Sequence, residues 1–222
     1  IFAPCKYREQ LAVNSLDLHQ FTGKWFFKAA VSLRDSDINK FRMFDNIVFT
    51  IQDTSNSTLV LTGSMRMGDA CIKKNWTYHV QPGRDDLLLE DDPPLSLICV
   101  LLVVVGSNPG RPQRRNLLWS GMWANCSDCI VFQELEPPLN ETDSEDSLNR
   151  FLLYSRQKDV DLEMLTTFLR NSACNGLTAS VTLPHEKELQ LLRREDPTES
   201  TINKNPGNPS SQKYPITCAG RS

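Results

Sequence analysis

Aromatic and cationic side chains alternate along two segments of the chain. Lys74, Trp76 and Tyr78 occupy every second position of one segment, and Arg150 and Tyr154 lie in the same phase of the other. In a β-strand, residues two apart share a face. Flat rings offer apolar contact area, tyrosine hydroxyls orient a polar end, and Lys or Arg suits an anionic head group. The two segments therefore predict a pocket for a small ligand.

Other interpretations of these residues stay open. Inward aromatic side chains of a barrel also serve as plain core, and Lys74 and Arg150 also fit solvated rim positions. Arg111 would join them at an anionic head group, whereas a cationic ligand would need inward acids, for which Glu134 and Asp86 are candidates. Further aromatic residues are candidates for the same pocket: Trp119, Trp123 and Phe132.

Catalytic chemistry has little support in the sequence. The pair Cys126-x-x-Cys129 has redox spacing, but it falls between two predicted strands rather than at a helix start, which favours a structural or idle role. His19, His79 and His185 are far apart and form no metal-ligand spacing. With no nucleophile elbow and no cofactor loop either, we expect no enzyme, no metal and no cofactor.

Short β-type runs broken by turn residues dominate the chain from Phe21 to Ser155. Helical spacing of Leu residues and Phe168 follows within residues 159–173, and Asn175-Gly176 supplies a stop. These patterns predict an all-β fold: an eight-stranded antiparallel up-and-down barrel with one C-terminal α-helix packed outside. The predicted strands are Lys24–Ala29, Asn46–Gln52, Thr58–Met67, Cys71–Val80, Asp86–Leu89, Asn116–Trp123, Cys129–Leu135 and Arg150–Ser155.

Glycosylation sequons give the predicted sheet an inside and an outside. They stand at four positions, Asn56, Asn75, Asn125 and Asn140. We expect glycans at Asn56 and Asn140, and none at Asn125, whose sequon contains Cys126. A glycan on Asn75 would require its face of the strand to point outward, so Trp76 and Tyr78 would point inward.

Composition and cysteine usage indicate an extracellular protein. The 222 residues, 40% of them hydrophobic, suffice for one sizeable core. A net charge of −3 argues against the basic face that nucleic acids require, and no apolar run is long enough to span a membrane. Seven scattered cysteines without metal spacing favour disulfides in an oxidising compartment.

Several motifs then carry a family resemblance. Phe21-Thr-Gly-Lys-Trp-Phe-Phe27 contains a G-x-W signature, and Asp45-Asn-Ile-Val-Phe49, Lys74-Asn-Trp-Thr-Tyr-His79 and Arg150-Phe-Leu-Leu-Tyr154 follow in order. The chain resembles lipocalins of the orosomucoid (alpha-1-acid glycoprotein) and apolipoprotein M branch, which includes proteins that bind saxitoxin, tetrodotoxin or tributyltin. The resemblance implies an extracellular, monomeric carrier of a small hydrophobic or amphipathic ligand, with lipoprotein particles as a further partner.

The resemblance also implies structural roles. Gly23, Trp25 and Arg156 would close the barrel floor, with the guanidinium over the indole. A disulfide Cys5–Cys174 would tie the N-terminal segment to the helix. A second bond would join Cys71 to the C-terminal tail, where Cys218 is the available partner.

One apolar segment, residues 93–109, departs from the family between strands five and six. It would be a buried strand, a membrane-associated insert or a retained intron, and we favour the last. We expect a lipocalin domain over residues 1–192, this insert included, and a disordered tail over 193–222. Two further functions stay open: an isomerase-like enzyme on the same barrel, and a membrane-associated interaction protein that uses the insert.

Overall fold

The computed structural model describes residues 4–54, 57–90, 114–137 and 147–184. It contains one α-helix, α1 (Leu162–Cys174), and five short 3-10 turns, of which Asn39–Met43 and Gly121–Ala124 bear on the site. The ten strands are β1 (Gln10–Leu11), β2 (Gly23–Ser32), β3 (Asn46–Thr54), β4 (Thr58–Met67), β5 (Ala70–Val80), β6 (Leu87–Leu89), β7 (Arg115–Ser120), β8 (Cys129–Glu136), β9 (Leu148–Ser155) and β10 (Ala179–Thr182).

Strands β2 to β9 form a closed barrel. Each pairs antiparallel with the next in the chain, and β9 returns to pair with β2. The short strands β1 and β10 add to β7 and β2. The predicted eight-stranded up-and-down barrel with one outer helix is confirmed.

The barrel has two distinct ends. We call the end at which β2 begins the Arg156 end and the end at which β2 finishes the Lys40 end. Because neighbouring strands are antiparallel, β4, β6 and β8 also finish at the Lys40 end, and β3, β5, β7 and β9 begin there. The 3-10 turn Asn39–Met43 lies in the β2–β3 connection at that end.

Side chains at the Arg156 end close the barrel floor. The Arg156 guanidinium carbon lies 3.9 Å from the centroid of the Trp25 ring. The guanidinium also donates to the backbone oxygens of Gln20 (2.8 Å) and Lys24 (3.1 Å). Gly23 has φ +94°, and a Cβ there would lie 3.2 Å from Arg156 Nη1, so glycine suits both the backbone and the space.

Helix α1 covers one outer face of the barrel. Asp161 caps its start by accepting hydrogen bonds from the backbone amides of Glu163 (2.9 Å) and Met164 (3.1 Å). The helix buries an apolar stripe against alternate residues of β9, so the outer face of that strand is as apolar as its inner face. This outer cluster includes Ala29, Val31, Trp123, Val131, Phe151, Leu153, Met164, Leu165 and Phe168.

Disulfides fix the segments around the helix. The predicted Cys5–Cys174 bond is present, and Cys126 pairs with Cys129. Cys71 is also disulfide-bonded. Its expected partner Cys218, the apolar segment 93–109 and the tail 193–222 lie outside the described residues. No helix within the described part of the chain is both long and apolar enough to cross a membrane.

Candidate functional site

The barrel encloses a cavity of about 310 Å³. Its wall is built from inward-facing residues of the strands and from the 3-10 turn Asn39–Met43 at the Lys40 end. The lining residues are Trp25, Lys40, Phe41, Phe44, Ile47, Phe49, Ile51, Leu61, Met65, Lys74, Trp76, Tyr78, Arg114, Asn116, Phe132, Glu134, Arg150, Leu152 and Tyr154.

Aromatic rings form one continuous wall of the cavity. The Phe49 ring lies 5.4 Å from the Trp76 ring and 5.2 Å from the Tyr154 ring, and Phe132 packs edge-on against Tyr154 at 5.6 Å. Gly63 gives the indole its place, since a Cβ there would lie 2.6 Å from Trp76 Cζ3. This wall offers flat apolar area for a ligand chain.

Charged side chains gather at the Lys40 end of the same cavity. Arg150 donates through Nε to Glu134 Oε2 at 2.6 Å and through Nη1 to the Asp37 backbone oxygen at 2.8 Å. Arg114 donates through Nε to Glu136 at 2.5 Å and lies 3.9 Å from Glu134. Two arginines, one near the start of β9 and one just before β7, thus share the two carboxylates near the end of β8.

Glu134 is held in its ionised form at the centre of this group. Burial alone would raise the pKa of its carboxyl, but the charges of Arg150, Arg114 and Lys40 lower that pKa to about 2. The carboxylate therefore carries its charge throughout the physiological range and is already engaged by two guanidinium groups.

Lysines add further positive charge at this end. Lys40 is exposed at the cavity mouth, where desolvation and then the neighbouring Arg150 charge lower its pKa to about 8 against the opposing effect of Glu134. Lys74 lines the cavity with its ammonium nitrogen 5.6 Å from the Trp76 ring centroid. Four cationic and one acidic side chain line the cavity, so an excess of positive charge faces the interior.

Asn116, Tyr78 and Tyr154 carry polar groups on the wall, and all three side chains are buried. Asn116 Nδ2 donates to the Tyr78 hydroxyl at 3.3 Å, while Asn116 Oδ1 has no partner among the described residues. Burial and the nearby Glu134 charge raise the pKa of Tyr78 and of Tyr154, so both phenols keep their protons. They offer hydroxyl groups to a ligand, and Asn116 offers an acceptor.

The structure brings most of the predicted pocket residues into one cavity. Six of the predicted pocket residues line the cavity: Lys74, Trp76, Tyr78, Phe132, Arg150 and Tyr154. Asn75 is exposed on the opposite face of β5. Glu134 also lines the cavity, whereas Asp86 does not, because Arg84 and Arg115 hold its carboxylate elsewhere. Arg111 and the sequons at Asn56 and Asn140 lie outside the described residues.

The placement of Trp119 and Trp123 corrects a prediction. Neither faces the interior; on β7 the inward residues are Asn116 and Leu118. The strand ends at Ser120 instead of continuing to Trp123, and both indoles pack in the outer cluster beneath the helix. Both faces of β7 are apolar at this point, so alternation alone could not show which face is inside.

Lys40 and Arg114 are the charged cavity residues that sequence analysis missed. Lys40 comes from the β2–β3 connection and Arg114 from the residue before β7, so strand alternation does not report on either. A sequence signal for the charged end of the cavity exists only on β8 and β9. Their register pairs Glu134 with Arg150, which places a carboxylate across from a guanidinium on an inward face.

Comparisons with known proteins find similarity to apolipoprotein M and to its domain family. The model of the ApoM domain matches residues 2–100. Apolipoprotein M of Rattus norvegicus is 24% identical over 168 residues, which cover 75% of this chain and 73% of the relative. A solved structure of the siderocalin Ex-FABP, described as functioning through dual ligand specificities, has a TM-score of 0.48 and 15% identity, and covers 74% of this chain and 94% of that one. The chain thus has an ApoM domain match in its first part and is distantly similar to apolipoprotein M.

Proposed function

We propose that the protein is an extracellular carrier of an amphipathic ligand whose apolar chain lies along the aromatic wall and whose anionic head group lies at the Lys40 end. The observation that carries the proposal is the division of one cavity into an aromatic part around Trp76 and a cationic part around Arg150 and Arg114. An amphipathic molecule is complementary to both parts at once.

The charge balance favours an anion over a cation. The only acid that lines the cavity among the described residues is Glu134, and it is bonded to Arg150 and close to Arg114. A guanidinium or amine ligand would have to replace one of these arginines and then face the other cations. We therefore rank toxin-like cationic ligands, which some resembling proteins bind, below anionic amphiphiles.

Carriage rather than catalysis fits the chemistry of the wall. Its carboxylate is engaged in an ion pair with Arg150, and its phenols, Tyr78 and Tyr154, are held protonated. The disulfides Cys5–Cys174 and Cys126–Cys129 support an extracellular location. The distant similarity to apolipoprotein M points the same way.

A head-group series tests the proposal. Three fluorescent amphiphiles with one tail and an anionic, a neutral or a cationic head are titrated into the purified protein. We expect the anionic compound to bind at least about tenfold more tightly than the neutral one. The cationic compound should bind most weakly.

The isosteric variant Glu134→Gln separates the two charge assignments. If the ligand is anionic, removing this carboxylate keeps or increases affinity for the anionic compound, because the arginine charges are less neutralised. If the cationic compound binds best to the native protein and loses its affinity in Glu134→Gln, the proposal is wrong. Thermal melting of the variant monitors whether the unpaired arginines unfold it.

A further inference from the structure

Large hydrophobic side chains are exposed at the Lys40 end of the barrel. Met43 is 53% exposed, Met67 40% and Ile72 41%. Met43 ends the 3-10 turn of the β2–β3 connection, and Met67 and Ile72 belong to the β4–β5 hairpin. We call these three residues the mouth patch.

Backbone contacts hold the parts of the mouth patch together. The Asp45 amide, two residues after Met43, donates to the Arg66 backbone oxygen at 2.8 Å, and the Gly68 amide donates to Asp45 Oδ2 at 2.7 Å. On the hairpin, Ile72 lies directly across from Met65, which lines the cavity. Hydrogen bonds therefore join the two segments that carry the patch, and Ile72 continues the inner wall beyond the cavity.

The surroundings of the mouth patch are cationic. Residues 33–45 and 64–74, which carry it, contain six Lys or Arg and four Asp, whereas the whole chain has a net charge of −3. Lys73 is exposed next to Ile72, and Lys40 and Lys74 line the adjoining cavity. Exposed apolar side chains among cations are the chemistry that binds an interface of anionic lipids.

We infer that the mouth patch docks the barrel, Lys40 end first, on an anionic lipid surface. The apolar side chains enter the head-group region, and the cations neutralise lipid phosphates and carboxylates. A ligand then passes between bilayer and cavity without crossing water. The mouth patch is separate from the cavity wall, so the docking and the carrier function can fail independently.

Vesicle co-sedimentation tests the docking. The protein is mixed with vesicles of phosphatidylcholine alone or with phosphatidylserine added, at low and at high salt. We expect binding to the phosphatidylserine vesicles that weakens as salt rises. The double variant Met67→Asp/Ile72→Asp should bind at least about tenfold less, because it loses apolar contact and gains repulsive charge.

The matched control is Met122→Asp. Met122 is 47% exposed but lies just after β7, at the opposite end of the barrel, so its replacement should leave vesicle binding unchanged. A soluble fluorescent amphiphile checks that the double variant still loads its cavity. The inference is overturned if the native protein binds neither vesicle, if both variants bind like the native protein, or if the double variant instead abolishes a dimer seen by size exclusion.

Discussion

Two aromatic clusters lie on opposite sides of the barrel wall. The inner cluster borders an open cavity, whereas the outer cluster is covered by the helix. Inside, Trp76, Phe49 and Tyr154 border a cavity of about 310 Å³. Outside, Trp123 packs edge-on against Phe168 at 5.1 Å and against Phe151 at 5.6 Å, with the helix closing over them. The inner rings thus keep one side open to a ligand, whereas the outer rings are surrounded by protein.

This difference gives chemically similar residues different roles, one in folding stability and one in ligand binding. A ring that is fully packed contributes to folding, because its removal leaves a void that its neighbours cannot fill. A ring that borders a cavity contributes less to folding and is available for a ligand. Residue type alone does not distinguish the two clusters; the element that covers each face does.

The largest expected effect is on the outer cluster. Phe168 is fully buried between α1 and the barrel, so Phe168→Ala should lower the free energy of unfolding by about 3–5 kcal/mol. The matched change Phe132→Ala on the cavity wall should cost less, because the ring already borders empty space. Urea unfolding of both variants measures the difference, and equal losses would contradict the contrast between the clusters.

The disulfide that ties the N-terminal segment over the outer cluster comes next. Cys5 and Cys174 fix a segment whose Arg8 guanidinium lies 4.7 Å from the Phe151 ring centroid. Replacing both cysteines by alanine should lower the free energy of unfolding by about 2–4 kcal/mol. Affinity for an anionic amphiphile should not change, and a loss of that affinity in the folded variant would show that the two clusters are coupled.

An effect on ligand affinity is expected from the inner cluster. Trp76→Ala should weaken binding of an anionic amphiphile by about 1–3 kcal/mol, because the indole forms part of the wall, and should alter stability little. Trp119→Ala is the matched control, since Trp119 packs against the outer cluster, and it should reduce stability while keeping affinity. Calorimetric titration measures the affinity of both variants, and thermal melting measures their stability. If Trp119→Ala lost affinity and Trp76→Ala lost stability, the roles assigned to the two clusters would be wrong.

The smallest effect is a pH dependence within the inner site. The pKa of Lys40 is lowered to about 8, first by desolvation and then by Arg150, so its ammonium is charged at pH 7 and loses its proton as the pH rises through about 8. Binding of a long-chain sulfonate, whose own charge is constant, should weaken over that interval by about 1 kcal/mol or less. Lys40→Gln should show a flat profile from pH 7 to about 9, and a native profile that is equally flat would remove Lys40 from the site.

Sequence reasoning was most successful where one face of a strand was marked. The sequon at Asn75 set the inward phase of β5, and the structure places Trp76 and Tyr78 on the cavity wall. On β7 no sequon identifies the outer face, and that face is also apolar because it packs beneath the helix. Trp119 was therefore assigned to the wrong side of the wall. The cationic end of the cavity depends on Lys40 in a connection and on tertiary pairing around Glu134, which no local pattern contains.

Native mass spectrometry of the protein isolated from its source tests the central claim most directly, because it weighs whatever occupies the cavity. We predict a bound species that is lost after organic extraction, that ionises as an anion when released, and that is largely absent from Trp76→Ala. A protein that carries no adduct and binds none of the three head-group compounds in titration would contradict the carrier function. An adduct that is cationic would contradict the assigned charge of the ligand.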